Sequence, residues 1–172
     1  MENLFNPSGK CVIVFDLNNT LIEKIHEKNY KSEMDYPDKV LYFHVKPKPY
    51  LNLIKTFLDK KRVIPVLWST VMPRNIGAYV KYLKTTHGIE FDLVMDSDYC
   101  SEGELVETLK VTKYKKDLNL VAQQLGVDVN DILLVDDNKE KRVGNQNFYH
   151  VTEDKGLLGV LTEIENFIAK RR

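Results

Sequence analysis

Four groups of polar residues in this 172-residue chain stand where they could do chemistry. Asp16-Leu17-Asn18-Asn19-Thr20 follows the apolar run Cys11-Val12-Ile13-Val14-Phe15. Ser69-Thr70 follows Val63-Ile64-Pro65-Val66-Leu67-Trp68. Asp136-Asp137 follows Ile132-Leu133-Leu134-Val135. Lys113, Lys115 and Lys116 stand at the start of the helical stretch before that last run. Each group has a plain reading by itself. Strand-end carboxylates cap helices, a hydroxyl after a strand bonds its own turn, and lysines at a helix start are solvated. Together they make a site. Two carboxylate clusters cannot sit side by side without a cation, and an all-oxygen set suits Mg²⁺. A hydroxyl and an ammonium opposite them suit a phosphate. The pattern is a nucleophile, a metal and a phosphate clamp at one sheet edge.

Such a cluster needs strands that end together. Short apolar runs at 11–15, 63–68, 91–95, 132–135 and 148–151 read as strands. Between them lie helix-period stripes: Tyr50, Leu53, Ile54, Phe57 and Leu58; then Ile76, Tyr79, Val80 and Leu83; then Leu118, Val121, Ala122 and Leu125. Leu157, Leu161, Ile164 and Ile168 form the last. Pro73 opens one helix, and Gly88 and Gly126 each follow the end of one. This alternation predicts an α/β fold with a mostly parallel sheet between helices, whose ligands gather beyond the carboxyl ends of the strands. Pro65 is a blemish in its strand. Residues 21–45 are too long for a simple loop and read as a β-hairpin flap, extended over 40–45. Residues 96–112 are a second long connection, with Gly103 as its turn point.

Composition narrows the class. At this length one domain, 1–172, is expected. Lys+Arg and Asp+Glu are both 25, so no excess positive charge favours nucleic acid or an anionic membrane. No apolar run approaches the ~20 residues of a membrane span. Two cysteines, Cys11 and Cys100, with no CxxC, leave no disulfide framework or zinc site. The expected setting is intracellular, cytoplasmic or nuclear, and the expected state is a monomer.

Val12-Ile-Val-Phe-Asp-Leu-Asn-Asn-Thr-Leu21 resembles the first motif of the haloacid dehalogenase (HAD) superfamily, an apolar strand followed by DxDxT. The run ending in Ser69 resembles its second motif, Lys116 its third, and Leu133-Leu-Val-Asp-Asp137 its fourth. A receiver domain uses a similar set, but its acidic pair ends the first strand, whereas here the pair comes late. Within the superfamily, Lys46-Pro-Lys-Pro-Tyr50 and Tyr114-Lys-Lys-Asp-Leu118 are similar to segments of the small phosphatases related to those acting on the RNA polymerase C-terminal domain. These are also called the NLI-interacting-factor-like family. The magnesium-dependent phosphatase branch is a close second.

The resemblance implies a HAD-like Rossmannoid three-layer α/β/α fold with the flap after the first strand and no large cap domain. It implies that Asp16 attacks phosphorus, forming an aspartyl-phosphate. Mg²⁺ would be bound by Asp16, the Asn18 carbonyl and Asp137. Asp136 would hold Lys116, and the two acidic roles are exchangeable. Ser69 and Lys116 would hold phosphate oxygens.

The chain departs from the family at Asn18. The second Asp of DxD is the family's general acid and base, and an amide cannot exchange a proton near neutral pH. Three readings stay open: an Asp→Asn change made to trap a complex, a natural residue in a slow phosphatase or phosphotransferase, and a pseudoenzyme that binds phosphorylated partners. The resemblance thus implies a Mg²⁺-dependent phosphomonoester hydrolase for protein phosphoserine or phosphothreonine. A small-molecule phosphatase and a phosphopeptide-binding module are the alternatives. His26, His44, His87 and His150 have no metal-ligand spacing and read as structural or solvated. Arg74 reads as cover for a helix start, and Lys24, Lys28, Lys31 and Tyr30 as a flap surface.

Overall fold

A computed structural model describes residues 9–102 and 113–171. In chain order it contains β1 (Cys11–Phe15), β2 (Ile22–His26), β3 (Asp38–Val40), β4 (Phe43–Pro47), α1 (Leu51–Asp59), β5 (Val63–Trp68) and α2 (Pro73–His87). Then follow β6 (Leu93–Met95), β7 (Ser101–Glu102), β8 (Lys113–Lys115), α3 (Leu118–Leu125), β9 (Ile132–Asp136), β10 (Phe148–His150) and α4 (Gly156–Lys170). Gly103 and most of the second long connection lie outside the described residues. No described helix is long and apolar enough to cross a membrane. Cys11 and Cys100 are buried free thiols.

Five parallel strands form the central sheet in the order β10-β9-β1-β5-β6. Every residue of β1 is buried, because the sheet is covered on both faces. Strand alternation divides the core. Cys11, Ile13, Phe15, Leu67, Leu133 and Val135 pack with residues of α1, α2 and α4 on one face. Val12, Val14, Val66, Trp68, Ile132 and Leu134 pack with Leu118 and Val121 of α3 on the other. This is the expected three-layer α/β/α architecture. From β1 the chain moves to β5 and β6 on one side, then returns to β9 and β10 on the other. The order reverses beside β1, and α/β folds place their ligands at such a point.

Pro65 does no harm to β5. Its carbonyl accepts the Asp92 N–H on the β6 side, just before β6 begins pairing at Val66. In a strand the N–H and C=O of one residue face the same side, so the donor that proline lacks faces that side too, where no ladder bond exists.

The flap is a three-stranded antiparallel sheet, β2-β4-β3, rather than a lone hairpin. Its β3–β4 turn falls at Leu41 and Tyr42, inside the segment expected to be extended throughout. Leu41 has a φ of 54° there. The Tyr82 hydroxyl of α2 donates to Asp38 Oδ2 at 2.6 Å and lies 2.9 Å from His87 Nε2, tying the flap to the body.

The apolar stripes are right in period but rotated in two helices. α1 buries Leu51, Ile54, Phe57 and Leu58, while Tyr50 and Leu53 are exposed. α4 buries Val160 and Phe167 beside Leu157 and Ile164, with Leu161 and Ile168 at the margin. The wide apolar face of each helix admits either choice, and the sheet against which it packs decides.

Candidate functional site

The site grows from the loop after β1. The Leu17 carbonyl accepts the N–H groups of Leu21, Ile22 and Thr20 at 3.0, 3.2 and 3.4 Å, coiling residues 17–22 tightly. Asn19 takes a left-handed φ of 63°, a conformation asparagine tolerates, and its N–H reaches the Ile22 carbonyl at 2.7 Å. Leu17, Leu21 and Ile22 are fully buried and anchor the coil. Thr20 Oγ1 then donates to Asp16 Oδ2 at 3.2 Å.

Lys116 crosses to the same carboxylate. It is fully buried, and its Nζ lies 2.9 Å from Asp16 Oδ1 and 2.8 Å from Asp136 Oδ2. Burial works against the ammonium charge, but Asp16 and Asp136 outweigh it and hold the Lys116 pKa above its ordinary value. Burial, and then the Asp16 charge, push Asp136 upward against the pull of Lys116. Asp137 is less deeply buried, yet burial and the adjacent Asp16 push it up to about 8.

Carboxylate oxygens of Asp16, Asp136 and Asp137 all lie within 4.8 Å of one another. With Lys116 included, the cluster has two negative charges in excess when fully ionised, which a divalent cation offsets. The donors are hard oxygens, the chemistry Mg²⁺ prefers. Asn18 adds a buried Oδ1 with no hydrogen-bond partner among the described residues. The residues present therefore fit a Mg²⁺ ion.

Ser69 lies at the carboxyl end of β5, beside β1, and is buried. Its Oγ accepts the Val71 N–H at 3.1 Å, the local turn bond of the plain reading. That bond uses a lone pair and leaves the hydroxyl proton for another acceptor. The lysines correct one expectation. They do not open a helix: Lys113 and Lys115 belong to the short strand β8, and Lys116 occupies the linker before α3, whose N-cap is Asp117. Lys115 Nζ reaches the Arg142 carbonyl at 3.4 Å, away from the carboxylates.

Three residues not assigned to the site from sequence adjoin it. His150 Nε2 is 2.9 Å from the Asp137 carbonyl, so this histidine touches the acidic loop. His26, His44 and His87 lie in the flap or at the end of α2, as structural groups. Lys48 is 7% exposed, its Nζ 3.0 Å from Glu153 Oε1. It lines a cavity of about 320 Å³ with Asn19, Thr20, Asp137, His150 and Thr152. The Gln146 side chain bonds the backbone on both sides of Asp117. Their contacts join residues from 13 to 105 apart, which no local motif displays. Arg74 is exposed at the start of α2.

Solved structures share this architecture at low identity. Fission yeast RNA polymerase II CTD phosphatase Fcp1, in a variant bound to beryllium fluoride, matches with a TM-score of 0.56 and 12% identity, covering 95% of this chain and 53% of that one. Another structure of Fcp1, described as an essential RNA polymerase II CTD phosphatase, matches with a TM-score of 0.57 and 15% identity, covering 95% and 51%. A putative β-phosphoglucomutase from Thermotoga maritima gives a TM-score of 0.52 at 13% identity, covering 88% and 98%. This chain thus spans about half the length of the Fcp1 chains, and the likeness is one of fold. No curated protein sequence matches significantly. The family model of NLI interacting factor-like phosphatases matches residues 11–170, nearly the whole chain, so the protein belongs to that family, on a HAD-type fold.

Proposed function

We propose that this chain binds phosphomonoesters, those of protein phosphoserine or phosphothreonine in first place, and transfers their phosphoryl group to Asp16 at a rate limited by Asn18. The observation that carries this reading is the buried contact of Lys116 with Asp16 and Asp136. A nucleophilic carboxylate, a fixed ammonium and a further carboxylate meet at the carboxyl ends of two adjacent strands.

Asp16 Oδ attacks phosphorus as the P–O ester bond breaks. Lys116, and Ser69 through its free proton, bind the phosphoryl oxygens and offset charge in the transition state. Asp136 holds the ammonium, and Thr20 orients the carboxylate through Oδ2. Asp16, Asp137 and the Asn18 carbonyl would hold Mg²⁺, which supplies Lewis-acid stabilisation of the transferring group when bound. The departing alkoxide must take its proton from solvent, since Asn18 has none to give. Water attack on the aspartyl-phosphate lacks a base for the same reason. Losing such a group costs on the order of 10²–10⁴-fold in rate, about 3–5 kcal/mol of barrier.

A protein substrate is supported by exposed apolar side chains, Leu41 and Tyr42 in the flap turn and Met72 in the segment after Ser69. Asn18, whose amide cannot exchange a proton near neutral pH, favours a second reading, a phosphopeptide-binding module with little turnover. Phosphopeptides, sugar phosphates and an aryl phosphate, assayed with and without Mg²⁺, separate the readings. Turnover of phosphopeptides supports the first. Turnover of small phosphates alone overturns the protein-substrate reading, and phosphopeptide binding without turnover selects the second.

A further inference from the structure

The ammonium of Lys116 stands at the end of a flexible four-carbon stem, so its place depends on the backbone that carries it. That backbone belongs to no helix or long strand. The Lys116 N–H donates to the Lys141 carbonyl at 2.8 Å. Gln146 supplies the rest. Its Nε2 donates to the Lys116 carbonyl at 2.7 Å, and its Oε1 accepts the Leu118 N–H at 3.0 Å. The amide is used in both senses, and turning it over would set donor against donor and acceptor against acceptor. The neighbouring Asn147 Nδ2 bonds the carbonyls of Asn130 and Ile132, each at 3.1 Å. Ile132 begins β9, the strand that ends in Asp136. The Gln146 clamp therefore refers the position of Lys116 to the strand that carries its partner carboxylate.

We propose that Gln146 is a positioning residue for Lys116, setting where the ammonium sits between Asp16 and Asp136 and hence how it meets a phosphoryl group. The catalytic consequence rests on the proposed function, whereas the placement of the ammonium does not. A misplacement of 1 Å at a reacting group can cost 10²-fold, so Gln146 acts on rate without touching substrate.

Two measurements test this. The first follows hydrogen exchange of the buried Lys116 ammonium by NMR on ¹⁵N-lysine-labelled protein, assigned with Lys116→Arg. Gln146→Met, similar in length but without the amide, is expected to speed exchange about tenfold or more, as the clamp's loss frees the stem. Lys115→Ala, which removes another bond to the same loop, should leave the exchange unchanged. If Gln146→Met fails to fold, Gln146→Glu keeps the acceptor for Leu118 and loses the donor to Lys116, and the same acceleration is expected. Unchanged exchange in a folded variant overturns the proposal.

The second measurement uses an Asn18→Asp background and an aryl phosphate. Gln146→Met should lower kcat on the order of tenfold with little change in KM, and should cost nothing further once Lys116 is Ala. Equal losses with and without Lys116 would make Gln146 merely structural and overturn the proposal. If that background hydrolyses no phosphomonoester, the proposed function fails, and the exchange measurement alone decides the role of Gln146.

Discussion

Lys116 Nζ and Asp136 Oδ2 lie 2.8 Å apart with both side chains fully buried, although 20 residues separate them. Asp136 thus spends one oxygen on the ammonium, and its Oδ1 accepts the Asn138 N–H at 3.0 Å. Among the described residues Asp137 makes no comparable pair with a lysine, so its carboxylate is open to a cation.

Asp137 should therefore govern metal binding, with a defined pH dependence. Its pKa is pushed up to about 8 by burial and by Asp16, against about 4 in the unfolded chain. Without metal, the folded state holds this proton more tightly. That contribution to stability is complete below about pH 4 and is lost as pH rises through about 8. Mg²⁺ needs the ionised carboxylate, so the metal-induced rise in Tm should be larger at pH 8 than at pH 6. Thermal melts across pH check this, and Asp137→Ala should abolish both the rise and its pH dependence.

Lys116 should be singular among the neighbouring lysines. Lys116→Ala leaves Asp16 and Asp136 facing each other uncompensated, and breaking such a buried set costs about 3–5 kcal/mol. It should also lose phosphate affinity or turnover far beyond Lys113→Ala or Lys115→Ala. Denaturant melts with parallel binding assays on the three variants measure both effects. Equal losses across the three would reject the assignment.

Asn18→Asp should raise turnover by on the order of 10²-fold or more. The two side chains are nearly isosteric, so the coil of residues 17–22 is expected to persist. The gain should be largest for alkyl phosphates, whose poor leaving groups most need a proton. Before the change, phosphorylated Asp16 should accumulate on fast-leaving aryl phosphates, detectable by intact-protein mass spectrometry. No gain on any phosphomonoester would favour the binding-module reading.

The flap tether should be separable from the chemistry. Tyr82→Phe removes the hydroxyl between Asp38 and His87 and should cost about 1–3 kcal/mol of stability. Metal binding at Asp137, on the other side of the sheet order, should be unaffected, as melts with and without Mg²⁺ would report.

The sequence by itself determined the five strands of the central sheet and most of what stands at their ends. Apolar runs such as 11–15 and 132–135 are local patterns, and the residue after a strand in a parallel sheet arrives at the carboxyl edge wherever the strand pairs. Asp16, Ser69, Asp136 and Asp137 were placed at that edge for that reason, whereas Lys116 follows no strand of the central sheet and was singled out among three lysines by family resemblance alone. Tertiary structure decided what depends on distant partners. The faces of α1 and α4 were settled by the sheet beneath them. Pro65 was made harmless by where β6 begins, a fact of register between strands. Gln146 carries no local signal, because a hydrogen bond to backbone 28 or 30 residues away leaves no period in the sequence, and the ion pair that joins Lys48 to the exposed Glu153 across 105 residues leaves none either. Residue types and spacing name the groups a site contains, but only the packed chain sets which carboxylate meets the ammonium and what holds the ammonium still.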